Sequence, residues 1–205
     1  LHAYASGGDT KKALDGLGGK FETLNLGVKP YPSCRYSHAA IDGIIDLKKE
    51  LDFSIDDLDD IDIGLSETAL NIIGYPLEDK QNPKSIVDGQ FSMPFCAAVA
   101  AKSGGLKWDD YKDHLNNSDT LALCNKIKVN PDKDAEKCCP EFMSAKVKIV
   151  VKGKTYEKFV KIPKGEPENF MKDEEFISKF KGLTEPYLSN ERVNQLTDLM
   201  LKIDQ

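Results

Sequence analysis

Apolar residues recur at two different periods along this chain, and the alternation between them predicts its elements. Ile41, Ile44, Ile45 and Leu51 return to one side of a 3.6-residue repeat, which predicts a helix from about His38 to Leu51 with Ser37 as its N-cap. Asp60 to Leu65 instead alternates every second residue, as a half-buried strand does. Gln90 to Ala101 is dense in small and apolar residues and predicts a buried helix, with Asp88-Gly89 breaking the chain ahead of it. Trp108-Asp109-Asp110-Tyr111 opens another short helix. Ser144 to Val151 and Lys154 to Val160 are β-rich runs around Lys152-Gly153, the pattern of a two-residue hairpin.

The flanks read differently. Residues 1 to about 20 carry Ser6-Gly7-Gly8, Gly16 and Gly18-Gly19 around one short helical turn, a loop-rich lead-in. Phe21 to Val28 alternates imperfectly and predicts a short strand. Lys29-Pro30-Tyr31-Pro32 then forces an extended passage, because each proline fixes its own φ and restrains its predecessor. Beyond Ile162-Pro163-Lys164-Gly165-Glu166-Pro167 the pattern is helical only: Asp173 to Phe180, then Glu191 to Ile203 with Leu196, Leu199, Met200 and Ile203 at helical spacing. The expectation is an α+β body, a boundary near residue 163, and terminal helices that pack onto something absent from this chain.

Composition narrows the classes of function. The 205 residues are 40% hydrophobic and 30% charged, which suits one globular domain of ordinary size or a small domain with an appendage. No uninterrupted apolar run approaches the roughly 18 residues a membrane span needs. With a net charge of -6 and lysines dispersed among acids, nucleic-acid binding has no electrostatic footprint. Five cysteines, including the adjacent Cys138 and Cys139, are an odd set that fits a reducing, intracellular compartment, cytoplasmic or mitochondrial. Leu1 and its neighbours lack a secretory or organelle-targeting pattern and read as the inside of a longer chain, although a processed mature protein would begin the same way.

Chemistry-bearing residues crowd into Lys29-Pro-Tyr-Pro-Ser-Cys-Arg-Tyr-Ser-His38. Lys29, Arg35 and a helix N-terminus could hold a carboxylate there, and His38 could move a proton near neutral pH. The plainer alternative is that His38 caps its helix while Cys34 and the tyrosines pack. A Cys34–His38 thiol pair lacks an identifiable orienting group and oxyanion site. Six aspartates between Asp52 and Asp62 lack the glycine and terminal glutamate of an EF-hand loop and read as a solvated connection. Cys124, Cys138 and Cys139 lack zinc-site spacing, so no metal is expected, and no phosphate loop, dinucleotide fingerprint or nucleophile elbow appears.

Three segments carry a resemblance. Lys29-Pro-Tyr-Pro-Ser-Cys-Arg-Tyr-Ser-His-Ala-Ala-Ile-Asp42 resembles the signature opening the second domain of MmgE/PrpD proteins. Gly89-Gln-Phe-Ser-Met-Pro-Phe-Cys-Ala-Ala-Val-Ala100 is similar to the family's small-residue helix, and Leu188-Ser-Asn-Glu-Arg-Val-Asn-Gln-Leu196 to its closing segment. The resemblance reaches only the later half of a family polypeptide. It implies a tail of the helical domain at residues 1–26, an α+β lid domain at 27–162, and helices returning to the helical domain at 163–205. It also implies an N-terminal helical half as partner, a homodimer of the complete unit, a small polycarboxylate substrate and no cofactor.

Carried over residue by residue, the resemblance makes Lys29 a carboxylate-binding cation, His38 an orienting or proton-relaying group and Tyr75 a hydrogen-bond donor to a carboxylate or enolate. Ser33, Cys34 and Arg35 would line the same turn and bind substrate. The implied chemistry is α-proton abstraction without a metal, leading to dehydration, as in 2-methylcitrate dehydratases, or to epimerisation, as in iminodisuccinate epimerases. Decarboxylating members resembling the cis-aconitate enzyme have a histidine in this turn where Cys34 stands. A non-catalytic carboxylate-binding or structural fragment is the competing class.

Overall fold

The chain folds as an α+β unit, described by a computed structural model over Asp9 and residues 12–203. Ser6-Gly7-Gly8 and Leu1 lie outside the described residues.

Helix α1 (His38–Leu51) covers the span its apolar stripe predicts, and Ile41, Ile44 and Leu47 are buried along it. Its start differs from expectation. Ser37 is itself helical in backbone (φ −85°, ψ −16°) and makes no capping bond. A 3-10 turn, Arg35–Ser37, runs straight into α1, so Cys34, with extended ψ of 137°, is where the helical segment begins. The Ser37 hydroxyl instead donates to the Cys34 carbonyl at 2.8 Å.

Strand β1 (Leu58–Leu65) buries Ile61, Ile63 and Leu65 and turns Asp60 and Asp62 to the other face. There Lys128 pairs with Asp60 at 3.1 Å and the Asn130 amide donates to Asp62 at 2.7 Å, which accounts for two aspartates of the acidic run. A long excursion follows: α2 (Glu67–Ala69) leading into a π-helical turn (Leu70–Gly74), α3 (Leu77–Gln81), α4 (Ile86–Gln90), α5 (Met93–Ser103), α6 (Asp110–His114) and α7 (Ser118–Cys124). It returns as β2 (Ile127–Pro131), parallel to β1. After α8 (Lys133–Cys138), β3 (Ala145–Val151) and β4 (Lys154–Val160) complete a sheet of order β2-β1-β3-β4. Lys152 (φ 49°) and Gly153 (φ 73°) both occupy the left-handed region, the backbone of the predicted two-residue hairpin.

Helices α1 and α5 pack against each other and bury one face of the sheet. Helix α5 is buried from Met93 to Ala101; small side chains let it sit inside the core. Asp88-Gly89 does not break the chain but lies within α4, where the Asp88 N–H bonds the Ser85 hydroxyl and Gly89 lies against Tyr111 and Phe95. Glu22–Asn25 forms a 3-10 turn in place of the expected strand, because Phe21, Leu24 and Leu26 find no cover among the described residues.

After β4 the described elements are helices: α9 (Asp173–Thr184), longer than expected, and α10 (Asn190–Met200), which stops short of Ile203. Only Val193 and Thr197 are buried on α10, whereas Leu199, Met200 and Ile203 remain exposed. Of the apolar stripe read from the sequence, Leu196 is half-buried and the other three members stay uncovered among the described residues.

Candidate active site

The turn from Lys29 to Ser37 is stiffened by prolines and held from beneath. The Pro32 carbonyl accepts from the Tyr111 hydroxyl at 2.9 Å and from the Gln90 side chain at 3.1 Å. The Cys34 N–H donates to the Gln90 carbonyl at 2.9 Å. Within the turn, the buried Ser33 and Ser37 hydroxyls lie 2.8 Å apart. Lys29 is exposed, and its ammonium bonds the Ser33 carbonyl at 3.1 Å.

The returning segment grips this turn from the other side. The Lys164 N–H donates to Asp42 Oδ2 at 2.7 Å, and Asp42 Oδ1 accepts from the Tyr31 hydroxyl at 2.7 Å. Burial raises the Asp42 carboxyl above the usual carboxylate range, opposed by these two donors; burial, then the Asp42 charge, raises the Tyr31 phenol. Arg35 bonds Glu166 Oε1 through Nε at 2.7 Å and through Nη2 at 2.5 Å, and its Nη1 donates to the Lys164 carbonyl at 3.1 Å. The Val28 N–H bonds the Gly165 carbonyl at 2.7 Å, so the two stretches of chain entering and leaving the sheet unit are pinned together.

His38 is fully buried. Its Nδ1 lies 3.1 Å from Arg35 Nη1 and its Nε2 lies 3.4 Å from the Ser33 carbonyl. Arginine has only donors, so Nδ1 must accept and the ring proton resides on Nε2. Burial, reinforced by the Arg35 charge, pushes the imidazole down to about 3, so His38 is neutral near pH 7. Its side chain is enclosed by the turn and bonded from within it. Arg35 is likewise engaged by Glu166 rather than free.

A cleft of about 880 Å³ opens beside the turn, between α1 and α9. Lys29 lines it together with Tyr31, Asp42, Trp108 and Lys179; Ser33, Cys34, Arg35, His38 and Tyr75 do not. Cys34 is half-buried, with Tyr36 next to it; burial, then Cys139 and Cys34, raises the Tyr36 phenol. Tyr75 follows the π-helical turn and is 40% exposed on a separate part of the surface. The structure thus gathers Lys29, Ser33, Cys34, Arg35 and His38 into one turn and leaves Tyr75 on another element. Sequence reasoning missed Glu166, Lys164 and Lys179, which act on the turn from more than 100 residues away. A solitary carboxylate inside the Pro163–Pro167 turn was the only local signal for Glu166.

Among the described residues, no three of His, Cys, Asp or Glu converge as metal ligands, and no helix is long and apolar enough to cross a membrane.

A four-stranded mixed sheet covered on one face by helices, a braced turn and two trailing helices define an α+β unit. The profile of the MmgE/PrpD C-terminal domain matches residues 31–205, and the chain belongs to the MmgE/PrpD family. Two cis-aconitate decarboxylases, one from Aspergillus terreus (strain NIH 2624 / FGSC A1156) and one from Aspergillus terreus, are each 21% identical to it over 204 residues. Each match covers 95% of this chain but 41% of the relative, so the chain spans about two fifths of the length of the curated relatives it matches.

Proposed function

We propose that this chain supplies the lid and one wall of a metal-independent lyase or isomerase acting on small polycarboxylates by α-proton abstraction. The observation that carries the reading is Lys29: an exposed ammonium, tethered to the Ser33 carbonyl at 3.1 Å and set at a cleft, in a chain of this family. A cation so placed binds a substrate carboxylate and stabilises the charge that develops when the neighbouring carbon loses its proton. Ser33, Cys34 and Tyr75, which do not line the cleft in this chain alone, meet substrate once the site is assembled, Tyr75 donating a hydrogen bond to a carboxylate or enolate. His38 and Arg35 act on substrate through the turn they brace.

The opposite wall is an N-terminal helical half, on another polypeptide or an adjoining segment, packing on the uncovered apolar side chains of the terminal helices. Residues 27–162 form the lid, 1–26 and 163–205 belong with the helical half, and the complete unit is a homodimer within the cell. Dehydration or epimerisation is the leading reaction, since Cys34 replaces the histidine of decarboxylating members. Decarboxylation is the second reading, favoured by the names of the two relatives. The test is turnover of 2-methylcitrate, iminodisuccinate and cis-aconitate by the chain combined with a helical half. Turnover that Lys29→Gln abolishes supports the reading; stoichiometric carboxylate binding without turnover supports a non-catalytic module.

A further inference from the structure

The contacts around the turn form one continuous line. A single oxygen of Glu166, Oε1, accepts from two nitrogens of Arg35, Nε at 2.7 Å and Nη2 at 2.5 Å, which restrains the plane of the guanidinium. The remaining nitrogen, Nη1, is thereby aimed at His38 Nδ1, 3.1 Å away. Accepting there, the imidazole presents Nε2–H to the Ser33 carbonyl at 3.4 Å. That same carbonyl receives the Lys29 ammonium at 3.1 Å. We propose that Glu166 is a positioning residue for Lys29, acting through Arg35, His38 and the Ser33 carbonyl.

Each link is directional. Lysine and arginine are donors only and the carbonyl is an acceptor only, so the histidine is the one member that could take either orientation. Two donors, Lys29 and His38, must share Ser33 O, and they do so only while His38 keeps its proton on Nε2. The carboxylate and guanidinium are 26% and 14% exposed, dry enough for the pair to hold its geometry. Glu166 belongs to the segment returning from β4, 131 residues beyond Arg35, so the lysine's position is tied to how that segment sits against the turn. The tie depends on a charged oxygen at this reach: Oε1 alone takes both N–H groups, which the oxygen of a neutral amide holds less strongly and a shorter acid does not reach in full.

This inference rests on reading Lys29 as the carboxylate-binding cation, but its test makes no use of turnover. The experiment uses the full chain, wild type against Glu166→Gln, with Arg35→Lys as a second variant that keeps the charge but not the fork. Imidazole 15N resonances report the His38 tautomer. The rate at which trinitrobenzenesulfonate labels Lys29, read by peptide mass spectrometry, reports its tether. The expected result is a single Nε2–H tautomer in wild type and a mixed population in both variants, with Lys29 labelling about five-fold faster, the factor for losing one hydrogen bond's net worth. Glu166→Asp should recover part of both signals. A folded variant that keeps the single tautomer, or shifts it while Lys29 labels at the wild-type rate, overturns the proposal. So does failure of both variants to fold, since that makes the pair a structural clamp. If the labelling result holds and the assembled enzyme has no turnover, the functional reading fails and the positioning role stands.

Discussion

Lowering the pH from about 7 to about 5 challenges His38 before it challenges most carboxylates. Unfolded, this imidazole binds a proton with its ordinary value of 6.5; folded, burial and the nearby Arg35, Lys29 and Lys179 cations hold it at about 3, with the Ser33 carbonyl on the other side of the balance. The unfolded chain therefore takes up a proton that the folded chain refuses, and stability falls as pH drops below 6.5, continuing until about 3. At roughly 1.4 kcal/mol per unit, the loss by about pH 5 is about 2 kcal/mol, a substantial part of an ordinary domain's stability. His114 contributes in the same direction, its value lowered chiefly by burial, but it is more exposed and its share is smaller. Urea unfolding followed by fluorescence of the single tryptophan, Trp108, at fixed pH values between about 5 and about 7.5 gives the slope. His38→Asn removes the titrating group while keeping one donor and one acceptor; it should be less stable at neutral pH but show a much flatter dependence. Equal slopes in wild type and variant would refute the assignment of His38 as a neutral buried brace.

Three further outcomes follow from the same geometry. Gly165 has a φ of 87° and a side chain there would meet the Val28 carbonyl oxygen at 1.9 Å, so Gly165→Ala should cost more than about 3 kcal/mol in urea unfolding. Gly104, with φ 71° and nothing within 4 Å, is its control: Gly104→Ala should cost only the backbone strain, about 1 to 2 kcal/mol. Tyr111→Phe should cost about 1 kcal/mol in the same assay, because the Pro32 carbonyl keeps its bond from Gln90 when the hydroxyl is lost.

The elements legible from sequence were those whose pattern is decided within a few residues. Helix α1 showed an unbroken apolar stripe, β1 a clean alternation, and the β3–β4 hairpin a pair of residues able to adopt positive φ. Strand β2 escaped because it offers only Ile127 and Val129 to the core, too short a pattern to distinguish from a loop. The strand expected at Phe21 to Val28 failed for the opposite reason: its alternation is present, but a strand needs a neighbour, and none of the four strands lies beside it. Asp88-Gly89 misled because Ser85 caps the short helix that contains them.

The site was legible to a similar depth. That Lys29 to His38 would crowd chemistry into one turn was visible in residue types alone. Which members face outward was not, because the direction of Arg35 is set by Glu166 and that of His38 by Arg35, contacts that only folding brings together. The tyrosine carried over by resemblance, Tyr75, lies apart from the cleft, and a wall from outside this chain would be required to bring it and Lys29 to a common substrate.

Turnover by the reassembled unit tests the central proposal most directly. The chain, mixed or co-expressed with a helical half of the family, would be assayed on 2-methylcitrate, iminodisuccinate and cis-aconitate beside the Lys29→Gln variant. The account predicts turnover of one of these that requires both parts and falls by orders of magnitude in the variant. An assembled, folded unit that turns over none of them, or whose activity survives loss of Lys29, would contradict it.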